Sequence, residues 1–233
     1  MELSINPGKN LTIEVEGEKY SRYALRTHFI EPGEKIEGIV EKYCLPVVQK
    51  GDVVVLGQKI ISLAQGRVIK KEEVRLGFWA KFLSQFAHKT PAGFSVGNPY
   101  KMQVAINLAG LPRIIFAAGC AAFLKIFGIR GIFYRLAGNQ INQLDGFYGE
   151  AYPQYSQIGV LGPENCDDLC EKLKNKYGFS FIVADVNDLG GNILGTSNDL
   201  KSGKKLFKAI LKDNPAGQTT EQTPIIIIRN PDA

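Results

Sequence analysis

Cysteine is scarce, with four in 233 residues at positions 44, 120, 166 and 170. So few, so spaced, do not make a disulfide framework. Cys166-x-x-x-Cys170 also lacks a second Cys or His pair to complete a zinc site. Histidine is scarcer still, with only His28 and His88, which argues against a Ser-His-Asp or Cys-His hydrolase. Neither G-x-x-x-x-G-K-[ST] nor G-x-G-x-x-G occurs, so two common phosphate-binding fingerprints are missing. Long apolar runs are missing too. The most lipid-like segment, Ile114 to Leu124, has 11 residues, and a bilayer span needs about 20. It reads as a buried core helix. The first twenty residues carry charges and Gly where a signal peptide needs an apolar stretch. The expectation is a cytoplasmic protein with no membrane partner.

The chain does hold material for a packed core. Apolar residues make up 45% and charged residues 22%, which excludes disorder as the main state. The length suits one large domain or two small intertwined ones: a single unit over 1–233, with subdomains at about 1–135 and 136–233 as the alternative. Lys and Arg number 28 against 23 Asp and Glu, a net charge of +5. The basic residues include no block of five or more. We therefore expect an anionic small ligand rather than nucleic acid.

Periodicity predicts strands alternating with helices, an α+β chain of mixed sheets with packed helices. Apolar spacing predicts a short helix in 34–43 after a Pro32-Gly33 turn, and an amphipathic helix in 72–88. Further helices are expected at 101–108 and 202–211. Asn165 is a candidate N-cap for a helix over 166–177 whose acidic start and basic end suit the helix dipole, with Gly178 as its stop. VVVL up to Leu56, FSFIVADV (179–186) and PIIIIR (224–229) read as buried strands, and GQKIISLAQGRVI as a turn or bulge followed by extended or mixed structure. NDLGGNILG reads as a loop. Trp79, the Phe-rich helix and Cys120 read as core.

Four stretches carry candidate chemistry. In GDVVVLGQKIISLAQGR a buried strand ends at Gly57, and Gln58 and Lys59 follow. A Lys there supplies a point charge for phosphate, although a solvated Lys fits the same pattern. In FSFIVADVNDLGGNILG, Asp185 and Asp188 offer carboxylates for a hard cation, and a solvated turn is the plain alternative. DNPAGQTTEQTPIIIIR places small residues, hydroxyls and amides just before a core strand, either a cradle for a nucleotide or an ordinary polar loop. In 136–157, Asp145 before Gly146 is a third carboxylate or simply a turn residue.

Taken together, GDVVVLGQKIISLAQGR, IVADVNDLGGNILG and GQTTEQTPIIIIR resemble the gamma-glutamyl ligase family of coenzyme F-420 biosynthesis. THFIEPGEKI and LGPENCDDL are weaker matches in the family's order, and the whole pattern is more similar to its divergent bacterial branch. The resemblance implies an intertwined homodimer that uses GTP with Mg or Mn to join L-glutamate, or a similar amine, to a substrate carboxylate through an acyl phosphate. It assigns nucleotide contacts to Thr27, His28, Phe29, Ile30, Gln58 and Lys59. The segment Ala216, Gly217, Gln218, Thr219, Thr220, Glu221, Gln222 and Thr223 completes that set. It assigns metal contacts to Asp145, Asp188 and Gln218, with Asp185 as the alternative to Asp188. The chain departs from the family pattern at Leu63, where a second Lys is expected, at Gly57, where a hydroxyl residue is usual, and at Leu189, in place of a hydroxyl.

Overall fold

The four consecutive Ile of the last strand are the key to the architecture, because a strand with no polar face must be covered on both sides. In the computed structural model, which describes residues 3–87, 96–129, 131–147, 155–187, 190–217 and 221–230, that strand lies inside a sheet. The chain divides into two compact units, 1–66 with 163–233 and the continuous segment 67–162.

In chain order the first unit opens with β1 (Thr12–Val15), β2 (Glu18–Leu25) and α1 (Ile36–Ile39), then β3 (Val53–Gly57) and α2 (Gln58–Ala64). The second holds β4 (Val68–Lys70), α3 (Phe78–Phe86), α4 (Pro99–Ala109), α5 (Leu111–Lys125), α6 (Ile132–Ala137), α7 (Asn139–Asn142), β5 (Asp145–Gly146) and β6 (Ile158–Val160). The first resumes with α8 (Cys166–Tyr177), β7 (Ser180–Asn187), β8 (Gly190–Thr196), α9 (Lys204–Ile210) and β9 (Ile225–Arg229). The α+β class is as expected.

The first unit is built on a mixed six-stranded sheet in the order β1-β2-β9-β3-β7-β8, where β3 and β7 run parallel and the other pairs are antiparallel. Strand side chains alternate between faces. Ile182 and Ala184 of β7, Val55 of β3, and Ile226 and Ile228 of β9 pack against Phe207, Ile210 and Leu211 from α9 and its C-terminal turn. Phe181, the alternate neighbour in β7, meets Tyr177 of α8. The sheet is therefore covered on both faces.

Ion pairs, each with one fully buried member, tie its strands to flanking loops. Arg22 of β2, fully buried, donates from Nη1 to Ile210 O (2.8 Å) and from Nη2 to Asp213 Oδ2 (2.9 Å). Arg229 of β9 grips Asp52 with two bonds of 2.8 Å, and Asp52 Oδ2 also accepts the Gln49 N–H. The second unit pairs a three-stranded antiparallel sheet, β4-β6-β5, with α3–α7.

Several expectations need correcting. KIISLA forms α2 rather than a turn or bulge leading into extended or mixed structure, and GGNILG forms β8, paired with β7, rather than a loop. The amphipathic helix starts at Phe78, not 72, and the helix expected from 202 is a 3-10 turn over Asn198–Gly203 followed by α9. Asn165 precedes α8 in a left-handed conformation and makes no side-chain cap bond. Cys120 is half-buried rather than core, and Phe78, Trp79, Phe82 and Phe86 are exposed. The helix read as buried at 114–124 is α5, and of its large residues only Ile114 is fully covered. His88 lies outside the described residues.

Candidate functional site

Four chain segments leave one end of the six-stranded sheet together. Its register places Leu25, Ile225, Leu56 and Val183 on one rung across β2, β9, β3 and β7. One step further, Gly57 lies beside Ala184, and its N–H donates to Pro224 O at 2.8 Å. Past that rung come Thr27 after β2, Gln58 and Lys59 after β3, Asp185 within β7, and the segment leading into β9. Strand direction dictates this grouping, because β9 runs antiparallel to β2 and β3 while β7 runs parallel to β3. Ligands of open α/β sheets favour such carboxyl ends, where loops can reach a ligand without disturbing the ladder.

On both sides of residues 218–220, the segment before β9 is held by side-chain bonds. Asn6 Nδ2 donates to Thr223 Oγ1 (2.7 Å) and Pro215 O (2.9 Å), while Thr223 Oγ1 donates to Ala216 O (2.7 Å). Asn214 Nδ2 donates to Gly217 O at 3.0 Å, and the Thr27 N–H reaches Gln222 O at 3.1 Å. Gly217 is left-handed (φ +73°), and a Cβ there would meet Glu221 Cδ at 2.7 Å. The left-handed backbone is the reason for glycine there, since the flexible Glu221 side chain can turn aside. Thr27 is thus bonded to Gln222, next to the Thr223 that Asn6 holds.

His28 sits beside them in a second local network. Its backbone N–H donates to Tyr43 Oη (2.9 Å), its Nδ1 lies 2.6 Å from the same hydroxyl, and its Nε2 lies 3.0 Å from Glu34 Oε2. The imidazole stacks on the Tyr43 ring with centroids 5.6 Å apart. A tautomer carrying its proton on Nε2 satisfies both partners: it donates to Glu34 and accepts from the Tyr43 hydroxyl. His28, Phe29, Glu31, Pro32, Gly33 and Glu34 line an open depression of about 440 Å³.

The expected metal ligands are placed less completely. Asp185 is half-buried in β7, on the face opposite Ala184 and Val186, and the strand continues two residues beyond it. Asp145 belongs to the second unit, where Oδ1 lies 3.7 Å from the ammonium of buried Lys101. Asp188, Leu189, Gln218, Thr219 and Thr220 lie outside the described residues. Among the described residues no group of three His, Cys, Asp or Glu converges on one point. The half-buried oxygen donor of Asp185 has the hard-ligand chemistry that magnesium and manganese favour. Leu63, at the position of the expected second Lys, is fully buried on α2.

Asn6, Glu34 and Tyr43 were not singled out from sequence. Ser-Ile-Asn-Pro-Gly reads as a turn, and nothing in it tells that the amide reaches across 217 residues to Thr223.

The family model for F420-0:Gamma-glutamyl ligase matches residues 24–136, just under half of the chain. The match includes Thr27–Ile30, Gln58 and Lys59, and ends before Asp145, Asp185 and the 216–223 segment. No curated protein matches the chain.

Proposed function

We propose that this chain, which belongs to the F420-0:gamma-glutamyl ligase family, is a GTP-dependent ligase that forms an amide between a substrate carboxylate and L-glutamate or a similar amine. The convergence of Thr27, Gln58, Lys59, Asp185 and the described residues Gln222 and Thr223 at one end of the sheet is the observation that supports this reading. In it, Lys59 offers charge to the phosphates, and the bonded pair of segments 27–30 and 216–223 orients the nucleotide. A phosphoryl group passes to the substrate carboxylate, giving an acyl phosphate. The glutamate amine then attacks the acyl carbon, and inorganic phosphate leaves. A divalent cation, Mg or Mn, would neutralise phosphate charge when bound, with Asp185 or Asp188 and Gln218 of the sheet unit as the ligands in this reading. An intertwined homodimer belongs to the same reading.

The test uses the purified full-length protein with GTP, magnesium, labelled glutamate and candidate carboxylates. The expected results are a rise in Tm with GTP plus magnesium and label incorporation that stops without nucleotide. No Tm rise with either GTP or ATP overturns the reading. Lys59→Ala should weaken GTP about tenfold, near 1.4 kcal/mol, the scale of one charge-assisted phosphate contact.

A second reading, a regulatory nucleotide-binding protein without turnover, is favoured by Leu63, which buries an alkyl chain where a phosphate-directed Lys is expected. Stabilisation by GTP without incorporation into any carboxylate would select it.

A further inference from the structure

The helical second unit wears its aromatic residues on the outside. Along α3, small Ala80 and Ser84 face inward, while Phe78, Phe82 and Phe86, one turn apart, face outward. The outward rings form a ladder with centroid separations of 5.9 and 5.1 Å, and Trp79 meets Phe82 edge-on. Helix α5 repeats the inversion. Ile114 and Ala117 enter the same core cluster as Ala80, while Phe116, Phe123, Ile126 and Phe127, in the helix and the turn after it, are 60–79% exposed. Isolated exposed apolar residues need no explanation, but two helices that both invert their amphipathicity mark an interaction surface.

Charge identifies the occupant. Between Glu73 and Asp145 the sequence contains no Asp or Glu and eight Lys or Arg. The chain's total is 28 basic against 23 acidic residues, so everything outside that stretch carries twenty basic residues against the same 23. The positive excess of the molecule is thus concentrated in the segment that exposes the aromatics. Lys81 on α3 and Lys125 at the end of α5 are themselves exposed. A two-fold contact between copies of this face would set basic surface against basic surface, whereas an anionic lipid surface attracts the lysines and accepts the rings.

Helix length sets the depth. Among the described residues no single helix is long and apolar enough to cross a membrane, and α4 and α5 are bent by 117° at Gly110. At 15 residues, α5 spans about 22 Å, short of the roughly 30 Å hydrocarbon core, and so suits a position in the interface plane. We propose that the outward faces of α3 and α5 dock this protein on an anionic bilayer surface as a peripheral, reversible contact, in place of the expected absence of a membrane partner.

The single tryptophan, Trp79, reports on this directly. Full-length protein is mixed with vesicles of three parts phosphatidylcholine to one part phosphatidylglycerol, and with phosphatidylcholine alone. Expected results are co-sedimentation with the mixed vesicles, a blue shift of tryptophan emission, and loss of both in high salt. Phe116→Ser with Phe123→Ser, and separately Phe78→Ser with Phe86→Ser, should each weaken vesicle binding at least tenfold without lowering Tm. Lys81→Glu with Lys125→Glu should do the same while keeping every aromatic. Absence of co-sedimentation and emission shift overturns the proposal. So does concentration-dependent dimerisation, or oligonucleotide binding, that needs these aromatics while vesicles are ignored.

Discussion

The two units handle polar and apolar groups in opposite ways. The sheet unit buries charge with partners: Arg22 inside its cage of Ile210, Asn10 and Asp213, and Asp52 held by Arg229. It also hides Cys44, Cys166 and Cys170. The helical unit has buried polar groups of its own, Lys101 and Ser84 among them, but turns Trp79 and the phenylalanines of α3 and α5 outward. In the first, sequence is constrained by the cost of breaking something buried. In the second, much of the aromatic content contributes little to the core and is available for contacts.

The severest way to test that contrast is Gly195→Ala in β8. A Cβ there would fall onto Cys166 and within 2.6 Å of Asp167 N, so α8 would have to move off the sheet. The expected loss is about 3 kcal/mol or more, since overpacking against backbone cannot relax by rotamer change; urea unfolding would read it. Thiol reactivity gives the next largest difference. Burial pushes Cys44 and Cys170 up to about 12 and Cys166 to about 11. Cys120 on α5, half-buried, should therefore be alkylated in the native protein at least about a hundredfold faster than those three, as peptide mapping of labelled protein would show. Equal rates would erase the contrast.

Asp213→Asn should come third, at about 2 kcal/mol, less than for a fully buried pair because Asp213 is partly exposed. Burial by itself raises the Asp213 pKa, but the hydrogen bonds and charge of Arg22 outweigh it and hold the carboxyl below its ordinary value. A depressed folded pKa stabilises the protein above the unfolded value, near 3.9, and that contribution is lost as pH falls below it. The Tm of the wild type should thus drop more steeply below about pH 4 than that of the variant. Phe78→Ser, at the far end of the scale, should change stability by no more than about 0.5 kcal/mol; a larger loss would mean that the ladder on α3 supports the fold.

Sequence pattern was most informative where both faces of an element are buried or where charge order is polar along a helix. Ile225–Ile228 and the 166–177 helix were legible for those reasons. KIISLA was not, because a short apolar run has no period to separate helix from strand. GGNILG became a strand only through its partner β7, a long-range fact invisible in a glycine-rich stretch. The inverted faces of α3 and α5 escaped for a subtler reason: periodicity finds an apolar stripe but does not say whether the small residues or the large ones turn inward. At the candidate site, Lys59 could be named from its place just after a strand and Asp185 from its place near the end of an apolar run. The bonds from Asn6 and Tyr43 depend on tertiary closure and had no local signal.

One feature of the sheet bears on how the molecule is made. β9 lies between β2 and β3, yet it emerges from the ribosome after every other strand of that sheet. The continuous segment 67–162 is available to fold while the earliest strands still wait for their central partner. Nascent β2 and β3 therefore spend most of translation as open edges, and closure of the sheet by β9 is a late, long-range event whose slowness is set by topology rather than by any single residue.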